Sequence, residues 1–429
     1  MPIRRMGLAA LVALSLFVAG ACSFGGSKEQ RAEGPVLAPA QPLPADFEAV
    51  LQQVAAVREL PAPSNLKVGF VTRPQVVALM ESLTTEDDRR WFATTTTLYR
   101  LLGHLGRDQD YESVYNSFGS MAVLGLYSPL DKTLWVVSDE SAPAFGKLPA
   151  QEKETLAHEL VHAVQDANFD VVKLFQSVSG DLDAGLAWTA LAEGDAQTHQ
   201  QRWSDKYLAV PIGRGAGRAM LFASAASMQG VPAAIARELL FPYTAGADWV
   251  GDLRTRTGTA GLNALFRSPP RNTAFVLHPE LLRSEWKAAQ VSLPDLSGAL
   301  GKGFARESGG TFGEFQVRNW LQSRLRALDA ANAAAGWDGD HYDVYVNGGE
   351  SVAVFRVRFR DDAEARQFAE AQQGLIKASN ATVTPGDLQL ATAGATTMAT
   401  ADVRGSEVLF ALATSPELAK RALEAILRG

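Results

Sequence analysis

Two histidines stand four residues apart in His158-Glu159-Leu160-Val161-His162. On a helix that spacing stacks both imidazoles on one face, a turn apart, where they can bind one metal ion. Glu159 then falls on the flank, near enough to take a proton from an activated water without itself binding the metal. The alternative is a pair of histidines that only hydrogen-bond or face solvent. A catalytic zinc site also needs a third protein ligand and an open position for water. Glu193 leads for that role, because it lies within a mostly apolar stretch, Ala187 to Ala196, where an unpaired buried carboxylate is costly. The competing reading is an exposed glutamate at an irregularity caused by Gly194.

Two helices must position these groups. The first is expected from Pro149 to Asn168, with Pro149 in its first turn and Glu152 and Glu154 near its positive end. Leu156, Leu160, Val161 and Val164 give it apolar surface to bury. The second covers Leu182 to Tyr207. Upstream, Phe47, Val50, Leu51 and Val54 recur at helical spacing, Lys67 to Thr72 reads as a strand, and helices follow from Pro74 and from Trp91 to Leu105. Strands Ala122 to Tyr127 and Thr133 to Ser138 flank a turn at Ser128-Pro129-Leu130-Asp131. A Gly-rich break, Ile212 to Gly217, reads as a loop, and mostly helical sequence runs on to about Leu296.

Beyond the Gly-rich stretch Gly298 to Gly313 the character changes. A helix Phe312 to Asn332 precedes strand His341 to Val346 and an alternating strand, Val352 to Arg360. There Phe355, Val357 and Phe359 oppose Arg356, Arg358 and Arg360, as in a half-buried antiparallel strand with a solvated face. A helix to about Lys377, a hairpin at Gly405 and a final helix from Ser415-Pro416-Glu417 complete this region. No internal repeat is present.

Composition narrows the functions. The 429 residues are 47% hydrophobic and carry a net charge of -7, with 40 Lys and Arg against 47 Asp and Glu. That is a globular chain of two or three domains, and its acidic balance argues against nucleic acid as a partner. A single Cys excludes a disulfide framework and any cysteine-rich metal site. Arg4 and Arg5, the apolar run Leu8 to Val18 and the small residues Ala19-Gly20-Ala21 form a secretory signal, too short to span a membrane stably. The one Cys, Cys22, stands where a bacterial lipoprotein signal is cleaved and acylated. The segment resembles that lipobox, with Ala19 in place of the usual Leu or Val. Pro35, Pro39, Pro42 and Pro44 then mark a semi-rigid tether. The expected organisation is a lipoprotein signal peptide at 1–21 and a Pro-rich tether at 22–45. The domain that carries the histidine pair follows at 46–310 and an accessory α+β domain at 311–429. The protein is expected outside the cytoplasm, anchored to a bacterial membrane through its N-terminal lipid.

HELVH followed by a later helix carrying LAEGDA resembles the gluzincin clan of zinc metallopeptidases. More narrowly, the chain is similar to a group of secreted bacterial and archaeal HExxH proteins. That likeness continues through FPYTAGADWV at Phe241 to Val250, PPRNTAFVLHPE at Pro269 to Glu280 and GWDGDHYDVY at Gly336 to Tyr345. It implies an α+β fold: a mainly helical zincin-like domain with a small antiparallel sheet, plus the C-terminal α+β domain. It also implies Zn2+ held by His158, His162 and Glu193, and an extended peptide bound along one of the two strands before the motif. In the thermolysin-like pattern an acidic residue one turn after the glutamate orients a ligating histidine; here that position is Gln197. Asp166 and Asp195 stand as substitutes, each equally readable as a surface or capping carboxylate.

The implied chemistry is peptide hydrolysis by zinc-activated water, with Glu159 as general base and then proton donor to the leaving amine. A further donor must meet the developing oxyanion. Tyr243 and His278, both in the shared motifs, precede His199 in that role; a core tyrosine and a turn-ordered histidine are the plainer readings. Two other functions fit the sequence: a non-catalytic envelope lipoprotein for binding or assembly, and a zinc amidase acting on cell-wall peptides. An intact Glu159 argues against the first, and the ligand set does not separate the second from a protease.

Overall fold

The computed structural model describes residues 37–122, 124–138, 143–211, 213, 230–386 and 388–428. The signal peptide, Cys22 and most of the tether lie outside these residues, as does nearly all of the Ile212 to Gly217 break. The end of the expected tether does not hang free. Gln41–Pro42 (β1) pairs antiparallel with Lys67–Val71 (β2), Gln41 opposite Val68. Proline is tolerated there because an outermost strand need not donate from every residue.

Helix α1, Ala45–Arg58, buries Phe47, Val50, Leu51 and Val54 and stops where Glu59 takes a left-handed conformation. Helices α2 (Val76–Leu83), α3 (Glu86–Leu101) and α4 (Tyr111–Ala122) follow, α3 opened by a reciprocal cap between Thr85 and Asp88. Strands β3 (Gly125–Ser128) and β4 (Thr133–Val137) complete a four-stranded sheet in the order β1-β2-β4-β3. The expected small antiparallel sheet is therefore mixed: β2 and β4 run parallel. Three helices and a strand lie between them, so the chain has length enough for the crossover that parallel pairing needs.

Next come α5 (Ala150–Phe169), α6 (Val171–Gln176) and α7 (Leu182–Tyr207). Helix α8, Ala233–Phe241, runs through a π-turn at Pro242–Gly246 into α9, Ala247–Arg267. After the short α10 (Ala274–Leu277) the chain is 3-10 helix and irregular, where the sequence suggested helix up to Leu296. Pro269, Pro270, Pro279 and Pro294 account for the difference.

The second sheet is antiparallel, with seven strands in the order β5-β6-β7-β11-β10-β9-β8. They are Ala305–Gly310, Trp337–Asn347, Glu350–Phe359, Thr382–Thr384, Gln389–Ala393, Thr396–Thr400 and Glu407–Ala413, β5 to β11 in chain order. Strand β5, assigned by sequence to the first domain, is thus an edge of this sheet. Helices α11 (Gly313–Leu321), α12 (Ala327–Ala334) and α13 (Asp362–Ala378) cover the face that carries Phe355, Val357 and Phe359; α14 (Pro416–Arg428) covers Val352 and Val354 behind it. Arg356 and Arg358 pair with Glu407 and Asp338 rather than standing alone in solvent. The expected helix Phe312 to Asn332 is broken into α11 and α12. A straight helix would rotate Ala330 about 180° from Leu321, yet both are buried in one core.

That core is continuous with the N-terminal region: Phe92, Tyr99 and Tyr111 belong to the same apolar cluster as Phe355 and Phe410. A polar junction ties α7 to the second region as well. Asp183 accepts from the Thr273 amide and hydroxyl and from Asn272 Nδ2, and Asp181 accepts from the Thr311 amide. Asp340 accepts from the amides of Phe312 and Gly313 and from Trp337 Nε1. The PPRNTAF and GWDGD motifs are therefore part of what fastens the helix carrying Glu193 to the sheet. Among the described residues no helix is long and apolar enough to cross a membrane.

Candidate metal centre

Helices α5 and α7 pack against each other, with Ala157, Val161 and Ala196 in one buried apolar cluster and Gln165 reaching the Ala192 carbonyl across the contact. His158, Glu159, His162 and Glu193 all lie in the resulting interior. His158 Nε2 is 3.0 Å from Glu193 Oε2, His162 Nε2 is 3.3 Å from Glu193 Oε1, and the two Nε2 atoms are 3.2 Å apart. Two imidazole nitrogens and a carboxylate oxygen within 4.8 Å of one another form a group able to hold a metal ion. The donor set suits zinc, which takes nitrogen and carboxylate ligands and accepts an incomplete protein shell. Its electrostatics favour positive charge. Burial opposes charge on His162, yet the Glu193 carboxylate beside it holds its pKa at about 9. Burial likewise pushes Glu193 up, and the two histidines bring it below its ordinary value.

The partners behind the imidazoles differ from those expected. His158 Nδ1 lies 3.1 Å from Gln200 Oε1, and His162 Nδ1 lies 2.9 Å from Gln165 Oε1. Asp195 stands one step further back, accepting from Gln165 Nε2 at 2.8 Å and from Arg58 Nε at 2.8 Å. Arg58 is fully buried, donates to Asn263, and lies 5.6 Å from the ring centre of Phe266. Burial works against the Asp195 charge, but Arg58 and His199 hold its pKa well below the usual range. His199 Nδ1 is turned to Asp195, 2.8 Å from both its main-chain carbonyl oxygen and its carboxylate, rather than to the triad. Asp166 does not touch either imidazole. It accepts from the Tyr127 hydroxyl and from Lys132 Nζ, each at 2.6 Å, and so clamps the β3–β4 hairpin to α5.

The same hairpin holds Glu159. The Tyr127 amide donates to Glu159 Oε2 at 2.8 Å. Strand β3 runs so close to α5 that a Cβ on Gly125 would come within 2.9 Å of Leu156. Of the two strands proposed to border the cleft, β3 is the one at the sheet edge against the motif helix. On another side, the π-turn sets the Tyr243 ring 6.3 Å from that of His158. Its approach depends on two glycines: a Cβ on Gly194 would lie 2.4 Å from the Gly246 carbonyl oxygen, and one on Gly246 would lie 2.6 Å from that of Ala190. Tyr243 thus belongs to the site's surroundings. His278 is engaged elsewhere, with Nε2 2.7 Å from Glu314 and Nδ1 3.7 Å from Glu280.

Sequence reasoning did not single out Gln165, Gln200 or Arg58. Gln165 follows His162 by three residues and Gln200 follows Glu193 by seven, spacings that return to the same helical face, so a signal existed. Arg58 had none beyond being a cation in the last turn of α1.

Residues 302–423 match a family described as a domain of unknown function, DUF8575. The match spans the seven-stranded sheet and its helices and contains none of the triad. No curated protein and no solved structure matches the chain.

Proposed function

We propose that this protein is a zinc-dependent peptidase of the zincin type, held at a bacterial membrane through acylated Cys22. The observation that carries the reading is the convergence of His158, His162 and Glu193, with Glu159 beside them and anchored by the edge of β3. A zinc ion bound by the triad would supply a Lewis acid and an acidified water. Glu159 takes the proton released as water attacks the scissile carbonyl and delivers it to the leaving amine. The Tyr127 amide fixes the carboxylate so that one oxygen stays on the strand. An extended peptide lying beside β3 would place its carbonyl between Glu159 and the triad, and of the three predicted oxyanion donors Tyr243 is the one packed against His158, His199 being turned to Asp195. His278, committed to Glu314, is better suited to bracing α11.

The test is hydrolysis of peptide libraries and of cell-wall stem peptides by the purified zinc-loaded protein, beside Glu159→Gln. Cleavage of peptide bonds, lowered about 10²–10⁴-fold in the variant, supports the peptidase. Cleavage confined to cell-wall peptides makes the protein an amidase. No turnover of either, with zinc bound, leaves a binding lipoprotein.

A further inference from the structure

The two glutamines behind the histidines are not interchangeable with the carboxylates that commonly serve there. Gln165 Nε2 gives its hydrogens to Ala192 O at 2.9 Å and to Asp195 Oδ2 at 2.8 Å, so the amide cannot flip. Its Oε1 must face His162 Nδ1, which therefore carries a proton and leaves Nε2 as the atom that would bind a metal. Gln200 Oε1 lies 3.1 Å from His158 Nδ1. Position 165 could not hold a charged acceptor without cost, because Asp195 lies beside it and is already committed to Arg58. A carboxylate behind an imidazole makes the ring a stronger ligand and offsets part of the metal's charge. A neutral amide fixes the tautomer and does neither.

We propose that Gln165 and Gln200 are positioning residues that orient both imidazoles while leaving a bound divalent metal its net positive charge, so that the ion is held less tightly and is more electrophilic than with carboxylate partners. With Glu193 the only anionic ligand of the three, that charge is kept for polarising a substrate carbonyl. This inference rests on the metal-site part of the reading above, and not on the identity of the substrate.

The experiment measures the zinc dissociation constant by chelator competition on the purified full-length protein, with folding checked by the thermal melt of chelator-treated samples. Histidine 15N NMR of the zinc-loaded protein reports the tautomers. Gln200→Glu should tighten zinc about 10-fold or more, and Gln165→Leu and Gln200→Leu should each weaken it about 10–100-fold. The wild-type rings should show Nδ1–H. Equal zinc affinity in the wild type and the Leu variants, or no tightening in a folded Gln200→Glu, overturns the proposal while leaving the peptidase reading intact. A wild type that binds no divalent metal overturns both.

Discussion

The interface between α5 and α7 and the inner face of the seven-stranded sheet are both buried, but they are filled with opposite chemistry. The first encloses Arg58, His158, Glu159, His162, Gln165, Glu193, Asp195, His199 and Gln200. The second is aromatic: Phe355 stacks on Phe410 at 4.6 Å, and Trp320 stacks on the same ring at 5.2 Å. Apolar burial stabilises wherever it occurs, whereas an ionisable group taken from water costs several kcal/mol unless it is paired. The sheet face is what a chain builds to be stable. The helix pair is what it builds to hold charge in place, Arg58 answering Asp195, the triad histidines answering Glu193 and glutamine amides backing those histidines.

Breaking each region by one residue sharpens the contrast. Arg58→Met strips the buried Asp195 of its guanidinium partner and should cost about 3–5 kcal/mol in urea unfolding. Phe355→Ala opens a cavity among stacked rings and should cost about the same, 3–5 kcal/mol. The rescue differs. Adding Asp195→Asn to Arg58→Met removes the stranded charge and should recover most of the loss, while no charge change should restore Phe355→Ala. If Arg58→Met costs less than about 1 kcal/mol, the polar interior is not organised by this pair and the comparison fails.

Gly194→Ala comes next in size. Its methyl meets backbone rather than a flexible side chain, so about 1–3 kcal/mol of overpacking is expected, together with weaker metal binding as the π-turn is pushed off α7. A thermal melt and a zinc titration on the same sample read both effects; an unchanged melt would show that the π-turn moves freely.

Two histidines carry the contrast into pH. His162, in the site, has its pKa held near 9. His104, packed edge-on against Tyr99 at 5.5 Å with neither ring nitrogen hydrogen-bonded, is pushed down to about 3 by burial and by Arg237 and Arg324. The unfolded chain takes up a proton at His104 below about pH 6.5 and the folded chain does not. Stability from this group is therefore lost as pH falls, by about 1 kcal/mol between pH 6.5 and 5.5. His104→Leu should flatten that acid limb in urea unfolding; an identical slope would mean that His104 finds a partner on protonation.

The contrast also explains what could be read from sequence. The histidine pair declares itself because its spacing has a geometric meaning on any helix, and Glu193 because a carboxylate among Ala and Leu has to be answered by something. Phe355, Val357 and Phe359 are equally legible through strand alternation. The supporting shell is not. Arg58 and Asp195 are 137 positions apart, and nothing local says that a cation ending α1 turns inward. The glutamines titrate nothing and fit any solvent face. Asp166, read as a substitute partner for a ligating histidine, holds a hairpin instead, and the register of that hairpin follows from tertiary packing. The docking of β1 was hidden because proline-rich sequence reads as a spacer unless the neighbouring strand is known.

The most direct test of the central claim is zinc stoichiometry of the purified protein, wild type beside Glu159→Gln and Glu193→Ala. The account predicts one zinc per chain in the wild type, retained in Glu159→Gln and lost in Glu193→Ala. A wild type that stays free of zinc under metal-replete conditions, or a Glu193→Ala protein that keeps its metal, contradicts it.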